Sequence, residues 1–86
     1  MVAIGETWKF AGAQVDFTIV GIDEEYAYYT MNWDEHVRKF MRYSFDYVYE
    51  YDGFGNARAV RVHNDPEKVC MVRLPSFDDG TVVRTN

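Results

Sequence analysis

Apolar and polar residues alternate along most of this chain with a period of two, the spacing that lets strand side chains share one face of a sheet. Ile4, Trp8 and Phe10 have one parity, and after a turn at Gly12 the residues Val15, Phe17 and Ile19 alternate with Asp16, Thr18 and Val20. Gly21-Ile22-Asp23-Glu24-Glu25 is polar enough for a loop. Tyr26–Trp33 follows, rich in aromatics and poor in helix formers, and reads as a further strand.

Two periods compete over residues 34–51. Asp34 suits a helix N-cap, Glu35 suits a first helical turn, and Trp33, Val37, Phe40, Met41, Ser44 and Val48 fall at helical spacing. Against this, Met41, Tyr43, Phe45, Tyr47, Tyr49 and Tyr51 alternate strictly with Arg42, Ser44, Asp46, Val48 and Glu50. The pattern predicts a short helix near 34–40 and then a strand from about 41 to 51.

The remainder is a meander. Asp52-Gly53-Phe54-Gly55-Asn56 has turn chemistry, Ala57–His63 a strand pattern, and Asn64-Asp65-Pro66-Glu67 a second turn. Val69–Leu74 and Thr81–Arg84 read as strands on either side of Pro75-Ser76-Phe77-Asp78-Asp79-Gly80. The expected fold is mostly β: a small antiparallel barrel or coiled sheet of about five to six strands, with one short helix. Trp8, Phe17, Ile19, Val60, Val62, Val69 and Met71 are the candidate core.

At 86 residues the chain is expected to form a single domain, 1–86, with a thin core. Its 48% hydrophobic and 17% aromatic content argues against disorder. The lone Cys70 excludes an internal disulfide and favours a reducing compartment. With no leader-like start and no apolar run of membrane length, a cytoplasmic protein without membrane association is expected.

Charge is uneven. Residues 1–35 hold seven acids against Lys9, whereas the rest of the chain is close to neutral, within a total of −5. That balance disfavours direct nucleic-acid binding, which needs a basic face to displace counterions, and leaves room for a basic protein partner.

Gly5, Trp8 and the run Phe17-Thr18-Ile19-Val20-Gly21-Ile22-Asp23, followed by Tyr26, resemble the opening hairpin of small SH3-like barrels. These include accessory proteins encoded by bacteriophages. The resemblance covers about a quarter of the chain. It implies an SH3-like architecture and a phage origin, with the host cytoplasm as the setting, and it transfers no functional residue.

Little in the sequence points to catalysis or cofactors. Cys70, His36 and His63 lack the spacing of a structural metal site, and Asp34, Glu35 and His36 are adjacent, so no metal or cofactor is expected. Ser44, Ser76 and Cys70 lie in no nucleophile elbow, and Gly53-Phe54-Gly55-Asn56 lacks the lysine and following helix of a phosphate loop. A non-catalytic binding protein is expected.

Seven tyrosines between positions 26 and 51 carry most of the remaining information, since tyrosine offers contact area, a hydroxyl and little entropy loss. Two surfaces follow. A protein-interaction module or small inhibitor of a host factor would use Asp23, Glu24, Glu25, Tyr28, Tyr29, Asp34, Glu35 and Phe54 against a basic partner surface. The alternative is a binder of a nucleotide-like ligand, held by Tyr47, Tyr49, Arg42, Arg58 and Arg61. Outward-facing aromatics also make a homodimer an expectation.

Overall fold

A computed structural model describes residues 1–86. It is mostly β, with seven strands in antiparallel sheets and one short α-helix. The chain divides into two compact units: residues 1–33 with 67–86, and residues 34–66.

The first unit holds β1 (Thr7–Phe10), β2 (Phe17–Ile22), β3 (Tyr26–Met31), β6 (Cys70–Arg73) and β7 (Val82–Arg84), with a single 3-10 turn over Leu74–Phe77. The helix α1 (Glu35–Arg42) and strands β4 (Phe45–Tyr51) and β5 (Ala57–His63), which intervene in the chain, belong to the second unit. The sheet order is β6-β3-β2-β1-β7, every pair antiparallel. β6 and β7 are the two edges, so the sheet is open and the barrel alternative gives way to a sheet.

Phe17, Ile19, Ala27, Tyr29, Val72 and Val82 form the buried core, with Trp8, Phe10, Leu74 and Phe77 packed against it. The Phe17 and Tyr29 rings lie 4.3 Å apart, and Phe10 reaches them at 5.3 and 6.0 Å. Trp8 stands edge-on to Phe77 at 4.8 Å. Its indole N–H donates to Glu6, whose carboxylate also accepts from the Ala3 N–H and pairs with Arg84 at 3.0 Å.

Two expected core positions are corrected here. Val69 and Met71 are exposed, and Cys70 and Val72 turn inward instead. Directly paired residues share a face, and the pairs Ala27↔Val72 and Tyr29↔Cys70 tie β6 to the core side of β3. A bulge in β2 explains a further departure from simple alternation. Ile19 pairs with Tyr29 and Gly21 with Tyr28, so Val20 is the extra residue, and parity reverses beyond it.

The second unit holds α1 (Glu35–Arg42), β4 (Phe45–Tyr51) and β5 (Ala57–His63). The Asp34 carboxylate caps α1 by accepting from the Val37 N–H at 2.9 Å. The helix runs two residues beyond the expected end and closes with Tyr43 and Ser44 N–H groups donating to the Phe40 and Met41 carbonyls. β4 therefore starts at Phe45 rather than near 41.

β4 and β5 pair only with each other, from Phe45↔His63 to Tyr51↔Ala57. Val60 and Val62 are half-buried and lie outside the core that was expected to include them, because a two-stranded hairpin has no further strand to close over them. No helix of the chain is long and apolar enough to cross a membrane.

Candidate functional site

The turn between β2 and β3 is built by Asp23. Its carboxylate accepts from the N–H groups of Glu25 and Tyr26 at 2.8 and 2.7 Å and from the Tyr28 hydroxyl. The backbone closes the same turn through Asp23 N–H to the Tyr26 carbonyl at 2.9 Å. The Tyr28 hydroxyl, and then the two backbone N–H groups, hold the Asp23 carboxyl below its ordinary range. The same carboxylate raises the Tyr28 phenol. Asp23 is thus a fastener of the turn, and Glu24 and Glu25 at its tip are the free charges.

Tyr28 lies on the outer face of β3, paired with Gly21 of β2. Asp23, Glu24, Glu25, Tyr26, Tyr28 and Met71 line an open depression of about 510 Å³. A second of about 420 Å³ shares Glu24 and Glu25 and adds Arg73, Leu74, Pro75 and Asp78. Apolar and aromatic walls with free carboxylates at the rim can take up the aliphatic stem and cationic head of a lysine or arginine.

Tyr29 is a correction. It was expected to stand outward, but it is 8% exposed and sits in the core, because it has the opposite parity to Tyr28. Burial, followed by the neighbouring Cys70, pushes its phenol up.

Asp34, Glu35 and Phe54 belong to the other compact unit, so the partner surface expected as one group falls on two units. Asp34 is occupied as the helix cap, and Glu35 pairs with Arg42 at 3.6 Å. Phe54 is 91% exposed at the hairpin tip. Asp52 shapes that tip by accepting from the Phe54 and Asn56 N–H groups, and Gly55 takes the positive φ that closes it.

The alternative ligand residues all lie in the second unit, on different faces. Tyr47, Tyr49 and Arg61 share one face of the hairpin with Phe45 and Tyr51. Arg61 stacks on the Phe45 ring at 3.6 Å. Arg58 is on the opposite face, held to Glu50 at 3.1 Å, and Arg42 is on the helix.

Sequence reasoning missed Tyr26 as a site residue and assigned Met71 to the core. The two flank Tyr28, and knowing which strand pairs with β3 is what brings them together. No three His, Cys, Asp or Glu side chains gather where they could hold a metal ion. The Ser44 hydroxyl donates to the Phe40 carbonyl at 2.7 Å. No protein-family model, curated protein or solved structure matches the chain.

Proposed function

We propose that this chain is a non-catalytic binding protein whose first unit engages a basic segment of a partner protein in the cytoplasm. The observation that carries the reading is the depression at the β2–β3 turn, where Tyr26, Tyr28 and Met71 supply an apolar floor and Glu24 and Glu25 supply carboxylates. Neither glutamate forms an ion pair. The β1–β2 hairpin, which lies within a five-stranded antiparallel sheet, is the segment whose sequence resembles small SH3-like barrels. That resemblance includes phage accessory proteins, so a host factor is the partner class to test first. On the hairpin, the nucleotide-ligand alternative would rest on Tyr47, Tyr49 and Arg61, because Arg58 is on the other face with Glu50, while Arg42 on the helix pairs with Glu35.

The test is binding of a fluorescent arginine-rich peptide at low and physiological salt. Glu24→Ser with Glu25→Ser should slow association several-fold and remove most of the salt dependence, since rim charges act through steering. Asp23 is left intact in this variant because it holds the turn. Tyr28→Ala should instead speed dissociation. Binding that neither variant alters, or no binding at low salt, would sink the proposal.

A further inference from the structure

The second unit presents an aromatic face with no covering layer of its own. Phe45, Tyr47, Tyr49 and Tyr51 stand in line along β4, the three tyrosines 68%, 68% and 73% exposed. Opposite them on β5, in the same order, are His63, Arg61, Ala59 and Ala57. The face is therefore a row of large rings beside a row that is small toward the tip.

We propose that this face binds a second copy of the chain, forming a symmetric dimer with a two-fold axis parallel to the strands. This inference is independent of the acidic depression. A rotation about that axis lays the β4 row of one copy over the β5 row of the other. Tyr49 and Tyr51 then sit over the alanines of the second copy, which leave room for a ring, and Tyr47 sits over its Arg61. Arg61 already stacks on the ring of Phe45 within its own chain, so its guanidinium has the orientation for a ring on each side.

Two further observations favour a second copy over other occupants. The charges of the hairpin strands other than Arg61, namely Asp46, Glu50 and Arg58, lie on the opposite face, so two such faces meet without opposed like charges at their centre. A nucleic-acid strand stacking along the tyrosines would instead find Arg61 as the one guanidinium on this face, already stacked on Phe45.

The area also fits. At about 200 Å² per ring, the exposed parts of the four rings plus Ala57, Ala59, Arg61 and His63 come to roughly 700 Å² per chain. Two copies reach about 1,400 Å², inside the roughly 1,200–2,000 Å² of a standard stable interface.

The experiment is sedimentation of the whole chain from low to high micromolar concentration. The mass should rise from 10.1 kDa to about twice that value. Tyr49→Arg and Ala59→Arg each place a guanidinium on the ring-over-alanine contact and should weaken association at least tenfold. Val48→Thr, on the opposite face of the same strand, should leave it unchanged. Both arginine positions are exposed, and circular dichroism confirms that the variants fold. In spectra of the wild-type chain, the ring signals of Tyr47, Tyr49 and Tyr51 should shift with concentration while those of Phe17 stay fixed. A single 10.1 kDa species at the highest concentration overturns the proposal, as does a dimer that both arginine variants retain.

Discussion

Phe10, Phe17 and Tyr29 in the first unit meet ring to ring between 4.3 and 6.0 Å, and two of the three are buried. Tyr47, Tyr49 and Tyr51 in the second unit also lie on a strand of alternating pattern, all on β4, but stay exposed. The difference lies in what each strand has beside it. β2 and β3 each have neighbours on both edges, and the sheet they form can close a core on one face. β4 has only β5. Alternation reports that one face of a strand is apolar. Whether that face is a core or a contact surface depends on how many strands are present to cover it.

The largest effect that would break this contrast is at β6. Val72→Asp buries an unpaired carboxylate beside Ala27 and should cost about 4 kcal/mol or more, enough to unfold a small domain. Met71→Asp, next door but outward, should stay within about 0.5 kcal/mol. If urea unfolding ranks the two the other way, the register of β6 is wrong. Phe17→Ala should cost about 3–5 kcal/mol, whereas Tyr49→Ala should cost under about 1 kcal/mol in the dilute chain.

Acid should act on both units through carboxyls held below their ordinary pKa. The leading cause is the Ala3 N–H for Glu6, the Tyr28 hydroxyl for Asp23 and the Thr81 hydroxyl for Asp79; in the second unit it is the Phe54 N–H for Asp52. A depressed folded pKa means that the unfolded chain binds more protons. The stabilisation is complete above the unfolded values, near pH 4, and is lost as pH falls through the folded ones. Urea midpoints should therefore be flat from neutral pH to about pH 5 and fall below about pH 4. A midpoint unchanged at lower pH would show that these bonds do not hold in solution.

Smaller effects refine the second unit alone. Asp34→Ala removes the helix cap and should cost about 1 kcal/mol locally, seen as faster amide exchange at Val37. Arg58→Ala breaks an exposed pair with Glu50 and should change stability by less than about 0.5 kcal/mol.

The mostly-β class, the turns and the helix-then-strand order of residues 34–51 were legible because each rests on local chemistry: the Asp34 cap, the alternation of β4 and the Asp52–Asn56 turn. Phe17 and Ile19 were legible as core for the same reason. Val72 was not, because β6 shows apolar side chains at both parities and only its pairing with β3 selects one. Tyr28 and Tyr29 could be assigned to opposite faces, but not to which. The acidic turn was visible as charge, whereas the role of Asp23 within it required the three hydrogen bonds its carboxylate accepts.

β3 and β6 are hydrogen-bonded neighbours, yet the pair Tyr29↔Cys70 is separated by about forty residues of chain. Those residues contain the whole second unit. Its helix and tight hairpin make short-range contacts of the kind that form within microseconds, while joining β6 to β3 must wait for a much longer loop to close. Each residue ordered early in the insert shortens that loop, and each halving of its effective length lowers the closure cost by about 0.6 kcal/mol. The insert would thus speed the assembly of a sheet to which it contributes no strand.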